Sequence, residues 1–274
     1  MNNTRFEYNK MVFTLKEEKS DFESRNTIVV AIHQPNYFPW LGYFYKLFCS
    51  DVFIFHDNVK FTKRSLTKRT LIRKAPTSSE KTYLTIPVKK TSDYSLIKDL
   101  SVDNNQNWQS KHLNQIKGVY HKSPYFKEYF PQIKELMQSF KNVESLVDVN
   151  LNSIKGIMEI LSINNAIVLS SKLQVKGVKS EYNLNLIKHF QGTVYLSGTG
   201  AREYQAEADF ENLGIKLIYQ EIFDFLEKNP YYQAQGKFIN GLSILDALFN
   251  IGADGIIKIL KDYQKILFNE LDQT

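Results

Sequence analysis

A single cysteine, Cys49, in 274 residues leaves no internal disulfide framework and no thiolate cluster for a Cys-rich zinc site. It stands in the apolar run Leu47-Phe48-Cys49 and reads as a small buried hydrophobe rather than a nucleophile. No stretch of ~18 uninterrupted apolar residues occurs, so no transmembrane segment is expected. The first 26 residues are polar and mixed in charge, without the apolar core of a signal peptide. They are expected to form an extension ahead of one α/β domain spanning 27–274, in a cytoplasmic protein at most peripheral to a membrane. Walker A, G-x-S-x-G and G-x-G-x-x-G patterns are all missing. His56, His121 and His189 lack ligand spacing of the H-E-x-x-H kind, so no metal site is expected.

What is present points to a packed core: 43% of residues are hydrophobic and 23% charged. The 19 Phe and 16 Tyr are read first as core, with flat surfaces for a sugar or base as the second reading. The net charge of +6 permits anion binding without naming the anion. Its distribution says more, because Lys60, Lys63, Arg64, Lys68, Arg69, Arg73 and Lys74 follow one another with no acid between. Few aromatics interleave with this strip and no recognition motif accompanies it, so no nucleic-acid partner is expected.

The run Thr27 to Ile32 is continuous and β-branched, as in a strand buried on both faces. It ends at His33-Gln34-Pro35-Asn36-Tyr37-Phe38-Pro39, where two prolines stop regular structure. A short helix over Trp40 to Cys49 and a strand over Asp51 to His56 follow. Tyr83 to Val88 reads as a third strand, with Pro87 marking an edge or the strand's end. The segment 104–161 is mainly helical, with Trp108, His112, Ile116 and Tyr120 on one face. A βαβ unit follows: Ala166 to Ser171, a helix over Tyr182 to Phe190, and Thr193 to Ser197. A last strand lies at Ile215 to Tyr219, and a helix over Leu242 to Leu248 closes on Asn250 and Gly252. This is an open, mostly parallel, Rossmann-like sheet flanked by helices, in which ligands bind beyond the carboxyl ends of strands.

The run from His33 to Phe44 (HQPNYFPWLGYF) resembles the signature of the WbqC-like family, known chiefly from bacterial gene clusters for surface polysaccharides. The same resemblance takes in Asp51-Val52-Phe53, Asp57, Lys63-Arg64-Ser65, Arg69, Tyr195 to Gly198 with Tyr204, and Phe238 to Asn250 (FINGLSILDALFN). It implies a role in polysaccharide biosynthesis without fixing a reaction. A weaker likeness is to the nucleotidylyltransferase layout, in which an H-x-G-H motif and a later hydroxyl-and-arginine motif hold phosphates. Here Trp40-Leu41-Gly42-Tyr43 stands in place of both histidines, while Ser197-Gly198-Thr199-Gly200-Ala201-Arg202 offers hydroxyls, backbone N–H groups and an arginine to an anion.

These residues give the candidate site. His33, at a strand end, is a general acid or base, or equally a structural histidine. Asp57, ending the neighbouring strand, is a base, a ribose partner or a turn residue. Gln34, Asn36 and Tyr37 hydrogen-bond a sugar or satisfy their own loop. Lys63, Arg64 and Arg69 clamp a diphosphate or form a solvated charge run. Ser197, Thr199 and Arg202 receive phosphate. The expected partner is a nucleotide or nucleotide sugar, and the cofactor is left open. Three functions stand open: a transferase acting on a nucleotide-linked sugar, with an acyl or aminoacyl group as donor; an ATP-using nucleotidylyltransferase or ligase; and a non-enzymatic binding or assembly protein of a polysaccharide pathway.

Overall fold

The computed structural model describes residues 27–271 except Asp93 and Tyr204; the expected extension at 1–26 and the motif residue Tyr204 lie outside the described residues. The chain opens with β1 (Val29–His33), α1 (Leu41–Cys49) and β2 (Val52–Phe55), then makes a hairpin of β3 (Arg69–Arg73) and β4 (Lys81–Thr85). Three helices follow, α2 (Trp108–Tyr120), α3 (Phe126–Ser139) and α4 (Leu146–Ile160). The second half alternates as β5 (Ala166–Leu169), α5 (Lys179–His189), β6 (Val194–Gly198), α6 (Glu207–Glu211) and β7 (Lys216–Gln220). It ends with α7 (Ile222–Lys228) and α8 (Ile244–Leu271).

The main sheet is parallel throughout, in the order β5-β2-β1-β6-β7. Its central strands are apolar on both faces because both faces are covered. Val29, Ala31, Phe53, Phe55 and Leu196 face a large core shared with α1, α4 and α8. Val30, Ile32, Val52, Ile54 and Tyr195 face a smaller one with Leu186 and Ile187 of α5 and Phe210 of α6. From β1 the chain first builds outward through β2 and β5, then returns to the other side for β6 and β7. The order therefore reverses between β1 and β6, and the crevice of such a sheet opens beyond their carboxyl ends.

The strand expected at Tyr83 to Val88 is not part of this sheet. It lies at Lys81–Thr85, paired antiparallel with β3, and only Leu84 along it is fully buried. A strand with one wet face suits a hairpin and not the interior of a parallel sheet. Its partner β3 is built from the basic strip: Thr70 and Ile72 are buried between cations, and Arg73 is wholly buried. The closing helix also differs from expectation. Gly252 (φ 69°) interrupts the helix as the sequence suggests, but a second helical stretch resumes directly and runs to Leu271. A Cβ at Gly252 would lie 2.9 Å from the Tyr125 ring, so both the positive φ and the close approach require glycine there.

Candidate functional site

Two halves of the proline loop after β1 do different work. In the first half, His33 Nδ1 lies 3.0 Å from the Gln34 carbonyl, which can only accept, so Nδ1 carries the proton and Nε2 keeps a lone pair. The Tyr43 hydroxyl donates to the same carbonyl at 3.2 Å. One turn further along α1, Lys46 shares the face of Tyr43 and donates to the Ile32 carbonyl at 2.7 Å. It is only 1% exposed.

These groups line a cavity of about 230 Å³ at the β1–β6 switch point. Its walls carry His33, Gln34, Lys46, His56, Asn183 and Ser197, and the turn around Gly198 and Gly200 closes it. Among the described residues no carboxylate lines it. Loss of solvent lowers His33 to about 3, helped by the charge of Lys46, and lowers His56 to about 4. Burial brings Lys46 down to about 7. At neutral pH both imidazoles are therefore uncharged, and Lys46 is poised between its two forms. His56 Nε2 and Asn183 Oδ1 are buried with no hydrogen-bond partner among the described residues. The Cβ positions of Gly198 and Gly200 are open to 4 Å, so a ligand has room beside that turn.

The second half of the loop is buried structure. Asn150 donates to the carbonyls of Pro35 (3.1 Å) and Thr67 (2.7 Å), and the Ser153 hydroxyl accepts from Phe38 N–H at 3.3 Å. Thr70 and Ser243 both donate to the Phe38 carbonyl, at 2.9 and 2.8 Å. Three separate segments thus hold Phe38 in its positive-φ conformation (36°). Asn36 and Tyr37 are buried here, and the Tyr37 hydroxyl lies 3.2 Å from His112 Nδ1.

Of the residues singled out in the sequence, His33, Gln34 and Ser197 come together in one cavity. Thr199 lies between Gly198 and Gly200 in the exposed turn. Ser197 Oγ accepts from Gln205 at 3.3 Å. Arg202 instead pairs with Glu221 at 2.7 Å and lies over the Tyr219 ring. Lys63 and Arg64 are on the surface, while the Arg69 guanidinium sits 3.9 Å from the centre of the Tyr83 ring and donates to the Arg64 carbonyl. The basic strip does not stay one field: Lys74 pairs with Glu80 at 2.5 Å, and Arg73 turns inward.

Asp57 has a fastening task. It is 1% exposed, and its oxygens accept from Ser170 Oγ (3.0 Å), Ser171 N–H (2.9 Å) and Ser171 Oγ (2.5 Å). This ties the end of β2 to the end of β5. Gly42 also has a packing reason. A Cβ there would lie 2.3 Å from the Trp40 ring and 2.8 Å from Ile222, so the space above this glycine is filled by side chains. Cys49 is buried, and desolvation pushes its thiol up to about 12.

Sequence reasoning missed Lys46, His56 and Asn183. Lys46 had a signal, as the one charge in the apolar helix LGYFYKLFC. His56 had another, at the end of the strand that pairs with β1. Asn183 had none, since its place depends on how α5 packs. Among the described residues no three His, Cys, Asp or Glu side chains gather as a metal site would need, and no helix is long and apolar enough to cross a membrane.

Comparison with known proteins agrees with the loop motif. The model of the WbqC-like protein family matches residues 34–258. The chain is 30% identical over 226 residues to "Uncharacterized protein Rv1507c" of Mycobacterium tuberculosis, covering 82% of this chain and 94% of that one. No solved structure matches. The family match takes in the proline loop, the inserted hairpin and helices, the glycine turn and the first stretch of α8, and the chain belongs to the WbqC-like protein family.

Proposed function

We propose that this protein is a transferase of bacterial surface-polysaccharide biosynthesis, which holds the phosphate-bearing part of a nucleotide-linked sugar in the switch-point cavity. The family membership supports the pathway. One observation carries the ligand class: Lys46, a buried amine with no carboxylate beside it among the described residues, lines a cavity that also presents a glycine turn. An entering anion supplies the missing counter-charge and draws Lys46 into its protonated form.

The volume of about 230 Å³ is below the roughly 300–1,000 Å³ usual for whole drug-sized ligands. The cavity thus suits one phosphate or sugar group, with the remainder of the ligand outside its mouth. His33 offers the unprotonated Nε2 as proton acceptor, and a nearby ligand anion raises its low basicity. In acyl or aminoacyl transfer to an amino sugar, the sugar amine attacks the acyl carbon, Nε2 takes the amine proton, and the bond from that carbon to the donor breaks with its electron pair going to the donor's leaving group. Asp57 enters this reading only as the clamp that holds the β2 end beside His56.

The test is thermal unfolding against nucleotides, nucleotide sugars, coenzyme A and acyl thioesters. A ligand at ~100 times its dissociation constant adds ~2.7 kcal/mol. That moves the midpoint by roughly 5–10 °C for a chain of this size. The expected result is a shift with nucleotide sugars that disappears in Gly200→Asp, because the new carboxylate occupies open space and repels phosphate. A shift with ATP alone favours the nucleotidylyltransferase reading. No shift with any ligand favours the assembly protein, and capture of a pathway enzyme becomes the next experiment.

A further inference from the structure

A second cavity, of about 530 Å³, opens between the outer face of β4 and the exposed flank of α2. Tyr83 and Thr85 form one wall, and Trp108, Lys111, His112 and Gln115 the other. Trp108 is 2% exposed, yet its indole N–H is buried without an acceptor among the described residues. An unmet buried donor is costly, and few survive in folded proteins without a partner. Tyr83 is 41% exposed, and Arg69 steadies its ring through the stacked guanidinium. Arg69, expected to clamp a diphosphate, here supports an aromatic surface.

His112 is fixed on both sides. Its Nε2 donates to the Thr85 carbonyl at 3.2 Å, so Nδ1 accepts the Tyr37 hydroxyl at 3.2 Å. The side chain is therefore a rigid wall. Gln106 and Asn114 join Gln115 at the rim, and each amide both donates and accepts. A phosphate site would gather cations, whereas Lys111 is the one cation in this lining. Sugar hydroxyls also donate and accept, and a pyranose ring presents an apolar C–H face to an aromatic side chain. Amides at the rim and a steadied tyrosine together match that chemistry.

We propose that this groove is a saccharide-binding subsite, which takes the sugar chain on which the pathway acts. The assignment of the sugar as the acceptor rests on the transferase reading above; the saccharide site itself does not. The proline loop runs from the lining of the first cavity to the back of the wall of the second. Gln34 lines the first, and Tyr37, three residues and at most ~11 Å of chain away, touches Trp108 and His112 in the wall of the second.

The chain has two tryptophans, so Trp40→Phe leaves Trp108 as the sole indole reporter. This variant is titrated with N-acetylchitotriose, maltotriose and trigalacturonate, without nucleotide. The expected result is a saturable change in Trp108 emission with at least one of them, and roughly tenfold or greater loss of affinity in Tyr83→Ala. Calorimetry on the unaltered chain gives the same readout if Trp40→Phe does not fold. No saturable response, or one that Tyr83→Ala and Gln115→Leu leave unchanged, overturns the proposal. So does a response to a nucleoside that Tyr83→Ala abolishes while the saccharides give none. A saccharide response without any nucleotide shift sinks the nucleotide reading and leaves this groove standing.

Discussion

The Lys46 ammonium lies 2.7 Å from the Ile32 carbonyl, one residue before His33, and so brings a buried cation under the end of β1. Burying an amine without a carboxylate beside it costs stability, which a site for anions accepts in return for affinity. Lys46→Met keeps the unbranched stem and removes the charge. The expected outcome is a gain of ~1–3 kcal/mol in urea unfolding at pH 7, together with loss of the nucleotide-sugar shift. A destabilised variant that still binds would remove Lys46 from the site.

The same lysine sets a pH dependence. Its folded value, about 7, lies below the ordinary 10.5. Between those values the unfolded chain binds a proton that the folded chain does not, so this group makes stability rise with pH from 7 toward 10. Ligand affinity runs the other way, because an anion selects the protonated amine and binding weakens above pH 7. Denaturant midpoints from pH 6.5 to 9 should climb in the wild type relative to Lys46→Met. A flat difference between the two proteins would contradict the assignment.

Asp57→Ala separates a clamp from a catalytic base. The substitution leaves the Ser170 hydroxyl and both donors of Ser171 without their acceptor, at the junction of β2 and β5. A loss of ~2–4 kcal/mol is expected, since each unmet buried donor costs roughly 1–3 kcal/mol and some of the three find water. Full stability in Asp57→Ala, with catalysis abolished, would return Asp57 to the role of base.

The sheet was legible because its strands are buried on both faces and read as continuous apolar runs: Thr27 to Ile32, Asp51 to His56 and Ala166 to Ser171 each fall on a strand. The hairpin was not, because β3 contains residues such as Arg69 and Arg73 that read as solvated surface charge, and the burial of Arg73 depends on distant partners as well as on the nearby Ser78 carbonyl. Arg73 reaches Gln233 and the Lys237 carbonyl, more than 150 positions away. The site was half legible for the same reason. His33 and Ser197 end their strands and so must lie near the crevice, whereas Asn36 and Tyr37 belong to the same motif but turn into the core. Nothing local separates the two halves; the partners that bury the second half, Asn150, Ser153 and Ser243, come from elsewhere in the chain.

Arg73 gives the sharpest case of a charge whose role the fold decides. It is fully buried, and its guanidinium donates to Gln233 Oε1 at 2.7 Å, the Lys237 carbonyl at 2.8 Å and the Ser78 carbonyl at 2.5 Å. Asp246, also fully buried, accepts from the Tyr231 hydroxyl at 2.9 Å. Burial raises the Asp246 carboxyl to about 6, while the hydrogen bond from Tyr231 and the charge of Arg73 hold it from rising further. Arg73→Met removes that restraint together with the guanidinium's three hydrogen bonds, at a cost of ~3–5 kcal/mol at pH 7. The Asp246 carboxyl then binds a proton at still higher pH in the folded state than in the unfolded one. Stability of the variant must therefore recover as pH falls from 7 to 5, where the neutral acid no longer needs a counter-charge. Over the same interval the wild type should gain less, because its Asp246 value is already lower. Urea midpoints of both proteins at pH 5 and 7 decide it: a deficit that stays constant between the two would mean that Arg73 acts through its hydrogen bonds alone and not through Asp246.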